Sequence, residues 1–175
     1  RVAAVAKAQS NISAGFSGGS AVVNGGTAFD LTITPNNGSP KTLNLLANTK
    51  VNDVVSAINA AGAGVTAALV NTGDATTPYK IVLTADKTGI AGGFSVTDNS
   101  GVLGLTSVTA ARDASLTVDG VSMTRSSNQI TDAIKGVSLT LFAENTSSTI
   151  IQVTQDNSRL SANITNLVKA YNDLQ

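Results

Sequence analysis

Hydrophobic and polar residues alternate along much of the chain, and the phase of the alternation maps a series of short strands. Phe29, Leu31 and Ile33 alternate with Asp30, Thr32 and Thr34, the period of a half-buried strand. A turn from Pro35 to Pro40, containing Asn37-Gly38, leads to Leu43 and Leu45, so 29–46 reads as a hairpin. The period then becomes helical. Val51, Val54, Val55 and Ile58 fall at i, i+3, i+4 and i+7, with Thr49 placed as N-cap and Gly62 as the C-terminal glycine. The stripe is β-branched, so packing rather than intrinsic propensity must hold this helix. Val65, Ala67 and Leu69, then Tyr79, Ile81 and Leu83, then Phe94 and Val96 resume the strand period, with turns at Thr72-Gly73-Asp74, Thr88-Gly89 and Gly92-Gly93. The order over 29–97 is β-β-α-β-β-β, which predicts one antiparallel sheet with the helix on its face.

Further along, Ala114, Leu116 and Val118 share one parity while Val121 and Met123 share the other, and the switch falls at Asp119-Gly120. A two-residue hairpin that pairs Val118 with Val121 and Leu116 with Met123 keeps all four on one face. Thr131 to Gly136 reads as a short capped turn, after which Val137, Leu139 and Leu141 alternate. Glu144 to Ser148 forms a polar loop, and Ile151 and Val153 complete the pair. From Asn157 the period is helical again. Leu160, Ile164, Leu167, Tyr171 and Leu174 follow spacings of four, three, four and three, a heptad seam of two repeats. This seam is the candidate site of the chain, either as packing within one subunit or as a contact between subunits. The seam still runs where the sequence stops, and the first residue is Arg1, so the chain is expected to be part of a longer one.

Composition narrows the function. The 175 residues suffice for one domain or two small ones. Aromatic residues make up only 3%, so Val, Ile, Leu and Ala must build the cores. Eleven basic and eleven acidic residues balance, and the bases form no stripe that would neutralise phosphates, which argues against nucleic acid as a partner. No apolar run approaches the ~20 residues of a membrane-spanning helix. His and Cys are both absent, which removes His general bases, Cys nucleophiles and zinc sites of the Cys/His kind. The ten Asp fall mostly at turns, as in Asp74, Asp86, Asp98, Asp119 and Asp132, where the side chain bonds local backbone. Gly15 to Gly19 and Gly62-Ala-Gly64 lack the Gly-Lys-Ser/Thr of a phosphate loop, and Gly62 closes a helix rather than opening one. Asp98-Asn-Ser-Gly101 lacks the later ligands and closing Glu of a calcium loop. The reading is a non-enzymatic protein with no cofactor, no metal and no catalytic residue.

The blocks Asp113–Val121, Arg125–Asn128, Thr131–Leu141, Thr149–Thr154 and Val168–Asn172 occur in an order and spacing that resemble the flagellar hook-associated protein 2 family of filament caps. Residues 2–9 are similar to the strand that precedes the head insertion in that family. Asp53–Gly62 and Tyr79–Thr84 resemble the module repeated in flagellin and hook-associated proteins.

The resemblance implies a mainly β fold (β-rich α+β) of two small β domains, one inserted into the other, plus the start of a C-terminal coiled-coil-like helix. Residues 1–14 and 107–156 would form a discontinuous domain, 15–106 the inserted one, and 157–175 the start of a helical leg. It further implies an extracellular cap at the tip of the bacterial flagellum, secreted by the flagellar export apparatus. There it would form a ring of its own copies that helps flagellin fold and insert. Flagellin, hook-associated junction proteins and an export chaperone would be partners, and nucleic acid and membrane would not. Two other readings stay open: an extracellular adhesion domain for host glycan or mucin, and a flagellin or hook-junction protein carrying the same module.

Overall fold

The computed structural model describes residues 1–145, 147–150 and 158–173, with the backbone alone over 158–161. Its elements in chain order are β1 (Val2–Ala4), β2 (Ser10–Phe16), β3 (Phe29–Pro35), β4 (Lys41–Leu45), α1 (Val51–Ala61), β5 (Val65–Asn71) and β6 (Tyr79–Ala85). There follow β7 (Phe94–Asp98), β8 (Thr106–Thr109), β9 (Ala114–Val118), β10 (Val121–Arg125), β11 (Gln129–Ile134), β12 (Val137–Thr140) and α2 (Ser158–Asn172).

The 29–46 hairpin forms as its alternation requires, with Phe29 opposite Leu45 and Leu31 opposite Leu43. The expected single sheet is instead two. One has the order β4-β3-β7 and the other β5-β6-β2-β8. Each is apolar on one face, and the two faces share one core. Phe29, Leu31 and Ile33 come from the first sheet, and Val65, Ala67, Ile81, Leu83 and Ala85 from the second. The α1 stripe of Val51, Val54 and Ile58 is fully buried in the same core. Each such side chain contributes roughly 1.5–3 kcal/mol over the exposed state, which offsets the poor helix propensity of Val and Ile. The helix begins one residue later than expected. Lys50 is the N-cap, with its N–H donated to the Asp53 carboxylate at 3.4 Å, while Thr49 Oγ1 donates to Leu46 O at 2.6 Å. Gly62, at φ 58°, ends the helix as expected.

The second sheet contains two strands that the apolar pattern does not reveal. Strand β2 turns Asn11 and Ser13 inward, both buried. Its register with β6 slips between Ile12 and Gly15. In that bulge Ile81 N–H donates to Ser13 Oγ at 2.8 Å, and the Ser13 hydroxyl donates to Ala14 O at 2.7 Å. Strand β8 joins the other side of β2. The domain limits read from the sequence, 14/15 and 106/107, therefore fall inside β2 and β8.

The remaining strands form two small sheets, β1-β9-β10 and β11-β12. The β9–β10 hairpin has the register predicted from parity, with Val118 opposite Val121 and Leu116 opposite Met123. Asp119 at φ 48° and Gly120 at φ 82° provide the two left-handed residues of its turn. Only the open end of the hairpin is covered. Ala114 and Leu116 are buried, whereas Val121 at the turn is 63% exposed. The segment 131–136, expected as a capped turn, is mostly strand. β11 pairs with β12 around Lys135-Gly136, with Ile134 opposite Val137 and Gly136 at φ 81°. Ile151 and Val153, read as its partner strand, lie outside the described residues.

Candidate functional site

The chain passes twice between the β1/β9–β12 sheets and the β2–β8 sheets, and the two passages lie side by side. Lys7 N–H donates to Arg112 O at 2.8 Å, and Arg112 N–H returns to Lys7 O at 3.1 Å. Arg112 Nε also donates to Val5 O at 3.2 Å, and its guanidinium pairs with Glu144. Two side-chain amides fasten this neck by imitating a peptide group. Asn128 accepts from Ala6 N at 2.7 Å and donates to Ala6 O at 2.9 Å. Gln9 does the same to Phe94, at 3.0 and 2.7 Å. The loop after β6 fits against the neck. Gly89 N donates to Lys7 O at 3.2 Å, Ile90 N to Asp113 Oδ1 at 2.8 Å, and Thr88 Oγ1 to Ser126 O at 2.7 Å. Gly89 has φ 84°, and a Cβ there would stand 2.6 Å from Ser126 Cα. Asp113 and Asn128 fall in blocks that carry the family resemblance and Thr88-Gly89 reads as a turn, but the pattern of residues does not show that they meet at a joint.

Within the heptad seam, α2 carries Ile164, Leu167 and Tyr171 at helical spacing, and all three are exposed. The Leu160 side chain and Leu174 lie outside the described residues. Val168, which the seam did not include, is exposed beside them. Phe142 and Ile150, 89% and 94% exposed, are two more large apolar side chains on the surface that periodicity did not single out.

Several carboxylates are engaged locally. Asp74 accepts from Thr77 N at 2.8 Å and Thr76 N at 2.9 Å, and these bonds hold its carboxyl down at about 2. At Asp98, burial pushes the carboxyl up, but donation from Leu103 N and from Ser100 outweighs it and the net direction is down. Both Asp98 oxygens are thus taken by protein donors, which makes 98–101 a turn. The Arg125 guanidinium holds Asp132 below the usual carboxylate range. No group of three or more acidic side chains close enough to hold a metal occurs among the described residues. An open groove of about 810 Å³ brings Ser39, Lys41, Asp86 and Lys87 to one rim. Asp86 there accepts from Thr66 Oγ1 at 2.6 Å.

Comparison with known proteins gives this architecture a family. A model described as "Flagellar hook-associated protein 2 C-terminus" matches residues 111–175, and one described as "Flagellin hook IN motif" matches 30–87. The D2-D3 domains of the flagellar cap protein from Serratia marcescens are 32% identical, with 83% of this chain and 85% of that one covered, at a TM-score of 0.71. The chain belongs to the flagellar hook-associated protein 2 family. Flagellar hook-associated protein 2 of Campylobacter jejuni is 31% identical over 85% of the chain. The D1-D2-D3 domains of the Escherichia coli flagellar cap protein match at 28% identity and a TM-score of 0.82, over 99% of this chain and 52% of that one. The chain spans 29% of the length of the Campylobacter jejuni relative, and the same share of the Salmonella typhimurium one. Within this chain, the C-terminus match contains the returning passage of the neck, β9 to β12 and α2, and the hook IN match contains most of β3 to β6 with α1.

Proposed function

We propose that this chain is the head portion of a subunit that caps the distal tip of the bacterial flagellar filament, outside the cell. It would promote the folding and insertion of flagellin during filament growth. The two sets of sheets would form the cap plate, and α2 would begin the leg that reaches toward the filament end. Residues 1–9 with 110–156 would be one unit and 10–109 the inserted one. The pairing of β2 with β6 and β8 supports placing all of β2 and β8 in the inserted unit, a few residues from the limits expected from sequence. The exposed stripe of Ile164, Leu167 and Tyr171, with Leu160 and Leu174, would supply a helix-packing seam between or within subunits. Subunits arranged as a ring need heterologous contacts that close by rotation. Flagellin is the principal partner in this reading, with junction proteins and an export chaperone in passing roles.

The carrying observation is the match to the Escherichia coli flagellar cap protein over 99% of the chain. The cap reading is favoured over a flagellin or junction protein because the C-terminus model covers the whole run from Ala111 to Gln175. A chimera tests it. Residues 1–145 replace the matching segment of the Salmonella typhimurium relative in a cap-less strain. Restored filaments and swimming are expected; flagellin shed into the medium as monomer, with the chimera exported and folded, would reject the reading.

A further inference from the structure

The strand β5 forms one outer edge of the four-stranded sheet. A sheet edge with free N–H and C=O groups is a template for pairing with another chain. Other edges carry familiar deterrents. Strand β4 begins with Lys41, β8 has four residues, and β10 ends in Arg125, whose Nη1 donates to Thr124 O at 2.9 Å. Strand β5 has none of these. It is seven residues long, reads Val-Thr-Ala-Ala-Leu-Val-Asn, and lies in a stretch, 54–73, without a single charged residue or proline. Such composition favours intermolecular β pairing.

Asn59 of α1 sits on this edge. Ala67 N–H donates to Asn59 Oδ1 at 2.7 Å, and Asn59 Nδ2 donates to Ala67 O at 2.9 Å. The register explains why Ala67 is the residue addressed. Thr72 N donates to Pro78 O, so the even-numbered residues of β5 bond β6 and the odd-numbered ones face outward. Ala67 lies mid-strand among those outward residues, and a primary amide satisfies its donor and acceptor together as a neighbouring strand would.

We propose that Asn59 is an edge guard: its amide occupies the middle of the β5 edge and prevents a second copy of this chain from pairing there in antiparallel fashion. In a chain presented at high local concentration to its own copies, the guard would limit association to other surfaces. The inference stands on the edge geometry and does not depend on the proposed role at the filament.

Three measurements on this chain test it. Asn59→Ala should shift the protein from monomer toward dimer or larger species with rising concentration in analytical ultracentrifugation, with its circular dichroism retained. Asn59→Ala combined with Val70→Lys puts a charge on the bare edge and should return it to monomer without raising its melting temperature. In the unaltered chain, hydrogen exchange at the Ala67 amide should be about tenfold or more slower than at Leu69, the next outward-facing residue. A folded Asn59→Ala that stays monomeric, or a double variant that associates as strongly as the single one, overturns the proposal. If Asn59→Ala does not fold, the exchange comparison decides, and equal rates at Ala67 and Leu69 overturn it.

Discussion

One hydroxyl closes the bulge in β2. Ser13 is buried and takes the Ile81 N–H that a regular ladder would give to a carbonyl. Ser13→Ala leaves that donor unpaired inside the protein and is expected to cost about 1–3 kcal/mol in chemical denaturation. The same residue shows why β2 escaped the sequence reading. Periodicity detects strands whose inward residues are apolar, and here Asn11 and Ser13 point inward while Ile12 lies on the other face. Asp74 offers a second test at this scale. Bonds from Thr77 and Thr76 are stronger to its ionised form and lower its carboxyl from the ordinary 3.8 to about 2. A depressed carboxylate stabilises the fold above its unfolded value and loses that contribution as pH falls through the folded one. The loop between β5 and β6 should therefore keep its conformation through pH 4 and loosen toward pH 2. An NMR titration of the Asp74 side-chain carbonyl should give a midpoint near 2, and a midpoint at the ordinary value would refute the assignment.

Elements were legible where one face is apolar and the turn is chemically specified. The β9–β10 register followed from a parity switch at Asp119-Gly120, and α1 followed from four apolar positions and Gly62. Strand β11 was read as a turn because Thr131-Asp132 resembles a helix cap, while its irregular register hides the alternation of Ile130 and Ile134. Two sheets rather than one could not be read from strand order, because antiparallel neighbours in sequence need not be neighbours in space. The seam of α2 was written in the sequence as a stripe, yet its role depends on what it meets. The insertion was implied by the resemblance, but the fasteners of the joint were illegible because they join groups far apart in sequence, such as the Asn128 amide and the Ala6 backbone. The joint is nevertheless sterically tight at Gly89. Gly89→Ala combines a positive φ with a Cβ 2.6 Å from Ser126 Cα and should lift the loop off Asp113 and Ser126. Loss of about 2 kcal/mol or more is expected, with calorimetry resolving two transitions in place of one. A variant that melts in one transition at the native temperature would show that the loop does not couple the two sets of sheets.

At the scale of the molecule, net charge is zero and each of the outer edges formed by β4, β5, β8 and β10 is short, charged or occupied by a side chain. The chain by itself is therefore expected to be monomeric or loosely associated. Multi-angle light scattering should return the mass of one 17.5 kDa chain at micromolar concentration, and a stable closed ring under those conditions would contradict the expectation. No helix among the described residues is long and apolar enough to cross a membrane.

The neck has an architectural consequence. Because Lys7 and Arg112 are hydrogen-bonded neighbours, the chain between them leaves and returns at adjacent points, as a plug enters a socket. A body whose own ends lie a strand's width apart satisfies the same geometry, whatever its interior. Asp113 and Ser126, which hold the 88–90 loop, are the latches that any replacement body would have to engage.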